Sequence, residues 1–167
     1  MNRMLTLDKK RYTGKMPRFQ KLYRRTQAAK FYPLKLYYKI LFKRAKDRNH
    51  IELSDRAQIG AGLYIGHPYG ITINEKAIIG ENVNIHKGVT IGQENRGRRK
   101  GTPVIGNNVW IGINATIVGA IHIGSDVLIA PNSYVNCDVP DHSVVIGSPC
   151  VIKPCEDAVR DYINNTI

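Results

Sequence analysis

The sequence predicts an all-β chain wound as a parallel β-helix, with a short basic α-helical arm ahead of it and a short helix behind it. Two observations carry this. An aliphatic residue recurs every six positions, at Ile59, Ile65 and Ile71, then Ile73, Ile79, Ile85 and Ile91, then Ile105, Ile111, Ile117, Ile123, Ile129 and Val135. Neither an amphipathic helix nor a simple alternating strand has that period, whereas a solenoid of short strands and tight corners does. Composition also changes abruptly near Asn49: residues 1–50 hold 16 Lys+Arg against 2 Asp+Glu, and the remainder holds 9 against 11.

Residues 1–50 are the arm. They carry all three phenylalanines and five of the nine tyrosines, interleaved with cations. In FYPLKLYYKILFKRAK, Pro33 suits a first helical position, and Leu34, Tyr37, Tyr38, Leu41 and Ala45 recur at three- and four-residue spacing. That is a basic amphipathic helix, and its apolar face can pack on the rest of the molecule or rest on an anionic membrane surface. Nucleic acid is disfavoured, because no recognisable binding module accompanies the charge.

Residues 51–153 are the coil. A small residue often follows the aliphatic anchor, as at Gly60, Gly80, Gly92, Gly106 and Gly124, and four places on comes a second apolar side chain: Val83, Val89, Val109, Ala115, Ile121, Val127. Two inward residues per hexad fill a narrow interior, and three hexads close a coil, so residues 18 apart stack. Such a solenoid needs both ends covered against edge pairing. The arm can cover the start, and DAVRDYINN, within residues 154–167, is expected to form a helix covering the finish.

A chain of 167 residues, 43% hydrophobic, supports one core and hardly two. Cys137, Cys150 and Cys155 form no CxxC pair, and the odd count suits a reducing cytoplasm. The opening MNRMLTLDKKR reaches charge too early for a secretory signal, and no apolar run approaches the roughly 20 residues a membrane span needs. A cytoplasmic protein with at most peripheral membrane contact is expected.

Two departures from the six-residue count mark candidate functional positions. The step from Ile65 to Ile73 is eight, which places two extra residues beside GHPYG; the step from Ile91 to Ile105 is fourteen, which inserts the loop QENRGRRKGTP. Interruptions that preserve the core phase are where a solenoid carries function.

The stretches ELSDRAQIG, GLYIGHPYGITINEKAIIGENVNI, GVTIG, PVIGNNVWIGINATIVGAIHIGSDVLIAPNSYV and DVPDHSVVIGSPCVI resemble the hexapeptide-repeat acyltransferases, in particular the serine acetyltransferase branch. The resemblance runs from about Ile51 to Lys153. It implies a left-handed β-helix, a homotrimer, and acetyl-CoA as acyl donor in the groove between subunits, with no metal. It also implies that His67 is the general base and that Glu52, fifteen residues upstream where the serine enzymes carry Asp, steadies the ring. Imidazole, with an ordinary pKa of about 6.5, can take a hydroxyl proton near neutral pH, and a carboxylate on its other nitrogen fixes the tautomer. His86 lies one residue short of a full coil after His67 once the two extra residues are subtracted, close enough to touch an acceptor. Gly92, Ile113 and Pro131 are expected along the acetyl-CoA groove, and Lys153 near a CoA phosphate.

Some positions depart from the serine enzymes. Those carry Asp immediately before the histidine and an Arg-His pair in the loop ahead of the next coil; here the positions read Gly66, Gly101 and Thr102. Arg98 and Arg99 in the inserted loop are the remaining candidates for an anionic group on the acceptor. The expected acceptor is therefore a sugar hydroxyl of an exopolysaccharide or its lipid-linked precursor, with L-serine as the alternative. Two further readings are a metal-dependent β-helix hydratase, for which His67 and His86 lack a third histidine, and a non-enzymatic scaffold that binds membrane or RNA through the arm. Trp110 should point outward, at a subunit seam, and His50, His122 and His142 read as solvated or loop residues.

Overall fold

The computed structural model describes residues 2–167 and is a three-sided, left-handed parallel β-helix with an arm of three helices folded over its first coil. The A face contains β1 (Glu52–Leu53), β4 (Thr72–Ile73), β7 (Thr90–Gly92), β10 (Thr116–Val118) and β13 (Tyr134–Val135). On the B face stand β2 (Gln58–Ile59), β5 (Ile78–Ile79), β8 (Val104–Ile105) and β11 (His122–Ile123). The C face is built from β3 (Tyr64–Gly66), β6 (Asn84–His86), β9 (Val109–Ile111), β12 (Val127–Ile129), β14 (Ser143–Ile146) and β15 (Val151–Pro154).

Register follows the aliphatic count. Ile65 stands on Ile85, Ile85 on Ile111 and Ile111 on Ile129, and the B face stacks Ile59, Ile79, Ile105 and Ile123 in the same way. All thirteen anchors are buried. Each such isoleucine contributes about 1.5–3 kcal/mol relative to exposure. Corners turn tightly enough that coils touch: a Cβ on Gly80 would lie 2.5 Å from the Gly106 carbonyl oxygen, so no larger residue fits there.

The arm consists of α1 (Arg3–Lys10), α2 (Arg18–Ala28) and α3 (Tyr32–Asp47). Asn2 caps α1 by accepting from the Leu5 N–H at 3.2 Å. Phe19, Leu22, Tyr23 and Phe42 join the coil's core. The inner stripe of α3 is Tyr38, Leu41, Phe42 and Ala45; Leu34 and Tyr37, which the spacing places with them, face outward instead. Phe42 faces the coil and fixes the helix's rotation about its axis.

Polar side chains of the arm satisfy the open edge of the first coil. Asp8 accepts from the Gly62 and Leu63 N–H groups at 3.0 and 3.2 Å, and Gln20 donates to the Leu63 carbonyl at 2.8 Å. Arg24 donates to the carbonyls of Ile59 and Gly60, Tyr23 to that of Ala57, and the Tyr12 hydroxyl accepts from the Ile65 N–H. Asp8 and Arg24, both buried, pair at 2.7 Å and are held in turn by these backbone groups. A buried ion pair is tolerable only when such additional hydrogen bonds complete it.

At the other end β15 turns back antiparallel on β14. The tail expected as a helix is a run of turns from Glu156 to Tyr162, with Asp157 and Asp161 at φ 52° and 65°, a backbone conformation no α-helix contains. Asp126 anchors it by accepting from the Ala158 and Val159 N–H groups. The three cysteines are free thiols; Cys137 and Cys150, neither fully buried, have Sγ atoms 3.7 Å apart. Among the described residues no helix is long and apolar enough to cross a membrane.

Candidate active site

His67 follows β3 at the edge between the C and A faces. On the regular coils the left-handed corner positions fall to Asn82, Asn108, Asn114, Asp126 and Asn132, with φ between 52° and 59°. In the coil with two extra residues they fall to His67, φ 54°, and Gly70, φ 63°. Asn and Asp tolerate this region through local hydrogen bonds, and histidine is enriched there too; His50 and His142 share it at φ 51° and 53°, but of the three only His67 faces the cleft at this edge. The ring lines a cleft of about 680 Å³ walled by Tyr12 and Lys15 of the arm, Trp110 of β9 and Tyr162 of the tail.

His86 lies deeper in the same cleft. Its ring centroid is 6.5 Å from that of His67 and 4.8 Å from that of Trp110, which meets Tyr162 edge-on at 5.1 Å. Nε2 of His86 is buried without a hydrogen-bond partner. Burial, and secondarily the neighbouring His67, lowers the His86 pKa below its ordinary value, which favours a neutral imidazole. In register, His86 stands over Gly66, and a Cβ there would lie 2.7 Å from Cε1 of the ring.

The edge that carries His67 continues through Lys87, Ile113 and Pro131, each two residues past an aliphatic anchor (Ile85, Ile111 and Ile129), as His67 is past Ile65. Asn114 donates to the Lys87 carbonyl and Asn132 to that of Ile113, at 3.0 and 2.9 Å. At the usual strand spacing, His67 and Pro131 span roughly 14 Å of this edge. Two of the expected acetyl-CoA residues thus share the histidine's edge.

Other expected site residues lie elsewhere in the single chain. Glu52 heads an outward column on the A face, above Thr72, Thr90 and Thr116, and opens onto a groove with Lys43 and Lys46 of α3. Its side chain makes no hydrogen bond or ion pair among the described residues, so no Glu52–His67 pair forms within one protomer. The reason is topological: residue 52 stacks on residue 72, five positions and a corner beyond His67. Arg98 and Arg99 project with the inserted loop into a separate pocket, closed by the Glu94–Gly101 bridge. Gly92 ends β7 at the far edge of the A face, and Lys153 is exposed on β15. His50 and His122 are exposed, and His142, also exposed, is raised in pKa by its hydrogen bond to Asp126 at 2.8 Å. Trp110 does point off the C face, and the tail covers it. Tyr12 and Tyr162 gave no sequence signal, since only the fold brings them within reach of residue 67. Among the described residues no three His, Cys, Asp or Glu side chains stand close enough to hold a metal ion.

The family model for the bacterial transferase hexapeptide (six repeats) matches residues 102–137. The chain is 44% identical over 110 residues to a serine acetyltransferase of Staphylococcus aureus (66% of this chain, 51% of that protein) and 42% identical over 98 residues to one of Helicobacter pylori (59% and 57%). Among solved structures it is similar to the Neisseria gonorrhoeae serine acetyltransferase in complex with serine (TM-score 0.68, 32% identity, 81% of this chain and 55% of that one). It is likewise similar to the Brucella abortus serine acetyltransferase in complex with coenzyme A (TM-score 0.69, 29% identity, 82% and 55%). Residues 102–137 thus carry bacterial transferase hexapeptide repeats, and the chain around them is similar to serine acetyltransferases. It spans about half the length of the curated relatives it matches.

Within this hexapeptide-repeat domain, glycine at position 66 and histidine at position 86 are sterically linked. Gly66→Ala is expected to cost about 1–3 kcal/mol by forcing the His86 ring aside, and the cost should largely vanish in a His86→Ala background. Thermal melts of the four proteins of this double-mutant cycle measure the coupling, and strictly additive costs would refute the contact.

Proposed function

We propose that the chain is an acetyl-CoA-dependent O-acetyltransferase with His67 as its general base. The observation that carries this reading is the histidine in a left-handed corner, facing a cleft, on the same edge as Ile113 and Pro131. His67 takes the proton of an acceptor hydroxyl while its oxygen attacks the thioester carbonyl; the tetrahedral adduct then expels CoA thiolate, which takes the proton back from the imidazolium. The acyl donor lies along the edge below the histidine, with Lys153 available to a phosphate. The protein works in the cytoplasm, where thiols stay reduced.

The site is completed by a second copy of the chain. Glu52 is exposed and unpaired in one protomer, and a homotrimer packed side by side brings the A face of one copy toward the His67 edge of the next. Gly92, Arg98 and Arg99, on the A face's far edge, reach a neighbour's cleft in the same way.

The named relatives favour L-serine as the acceptor. A sugar hydroxyl is the second reading, and one observation favours it: the ring of His86 fills the space beside Gly66, where the serine enzymes carry the acid that engages the ammonium group. The aromatic walls of the cleft suit a sugar ring equally well. Release of CoA thiol with each acceptor decides between them. Turnover of L-serine with kcat/KM in the usual range of about 10⁴–10⁸ M⁻¹s⁻¹ establishes the first reading; acetylation of a saccharide with L-serine inert establishes the second. Failure with every hydroxyl acceptor refutes both.

A further inference from the structure

The coil holds α3 by one side only, and the other side is apolar. Along the outer face Tyr32, Leu36 and Ile40 follow at four-residue spacing, in one line down the helix. They are 74%, 46% and 47% exposed, and Phe31 at 69% and Tyr37 at 56% widen the stripe. Isolated exposed apolar residues are ordinary, but five large ones together on one helix and its N-cap need an occupant.

Cations flank and extend the stripe. Lys39 and Lys43 lie beside it and Arg44 and Arg48 continue its line past Ile40, while Asp47 is the only acid between Lys30 and Arg48. Lys39 pairs with Asp55 at 3.2 Å and Lys43 with Asp47 at 2.9 Å, which among the described residues leaves both arginines without an acidic partner. An apolar ridge flanked by lysines and running into arginines matches the boundary between acyl chains and acidic headgroups. It does not match a second copy of itself, since two such helices would bring like charges together. Nor does it match a nucleic acid, which would leave the ridge wet.

We propose that the outer face of α3 docks the chain on an anionic membrane surface, with Tyr32, Leu36, Tyr37 and Ile40 entering the headgroup boundary and Arg44 and Arg48 meeting lipid phosphates. The inner stripe around Phe42 keeps the helix seated on the coil, so docking requires no unfolding. Lipid binding is measured without any acceptor or acetyl-CoA, and the inference therefore stands independently of the acetyl-transfer reading.

The full chain is sedimented with vesicles of phosphatidylcholine alone and with vesicles in which about a third of the lipid is phosphatidylglycerol. Binding to the anionic vesicles only is expected. It should weaken at least about tenfold in Leu36→Glu/Ile40→Glu, and fall again as salt rises toward about 0.5 M. Both replaced residues are exposed, so the variant's thermal midpoint should match the parent's; Arg44→Glu/Arg48→Glu, which leaves the ridge intact, supplies a second reading at about fivefold per cation. Absence of binding to anionic vesicles overturns the proposal, as does undiminished binding by both variants. A change in oligomer mass in Leu36→Glu/Ile40→Glu would show that another copy covers the face. RNA binding abolished by the same substitutions would assign the face to nucleic acid.

Discussion

Replacing His67 with asparagine is expected to lower kcat for CoA release by about 10²–10⁴-fold, the usual contribution of a positioned base. Asparagine is the informative choice, because it tolerates the left-handed backbone at φ 54° that alanine would strain. The His67 ring makes no hydrogen bond among the described residues and is exposed, so the fold should be unaffected and the loss should lie in the chemistry. A decrease of less than tenfold would remove the histidine from the mechanism. The same variant tests where Glu52 acts. If the carboxylate steadies the His67 ring of a neighbouring copy, inactive His67→Asn and Glu52→Gln proteins, unfolded and reassembled together, should recover activity. Random assembly rebuilds about a quarter of the sites, since each needs an intact histidine from one copy and an intact glutamate from another. No recovery would mean that both residues must come from one chain or that Glu52 has no part in the site.

The second large effect concerns stability. Asp8→Ala strands the Arg24 guanidinium in the interior and leaves the Gly62 and Leu63 N–H groups without acceptors. Breaking a buried pair from one side costs about 3–5 kcal/mol, which for a chain of this size lowers the melting midpoint by roughly 6–20 °C. Removal of both partners should cost clearly less than the sum of the single losses. A loss under about 1 kcal/mol for Asp8→Ala would mean that the interactions between arm and coil are not made in solution.

The coil was legible because its period is a property of the backbone: two inward residues per short strand and one corner residue leave a trace that nothing else imitates. His67 was legible for the related reason that a two-residue excess must leave the ladder somewhere, and the structure puts it at Gly66 to Gly70. Closeness of His67 and His86 also followed from the count. What the pattern could not carry was anything perpendicular to the coil. The hydrogen bonds of Asp8, Gln20 and Arg24 join residues tens of positions apart, and their sequence context is that of any charged helix. The rotation of α3 depended on Phe42, whose neighbours are chosen by packing rather than by spacing. The tail read as a helix from its composition, yet the carboxylate of Asp126, on a different coil, draws its backbone into turns. Glu52 kept the expected distance in sequence, but distance along a solenoid does not say which chain supplies the partner.

Arm side chains occupy free backbone groups of the first coil, and on the C face a reversed strand covers the last, so lengthwise addition of another copy's strands is opposed at both ends. A shape otherwise suited to filaments is thereby steered away from end-to-end growth and toward contact along its flanks.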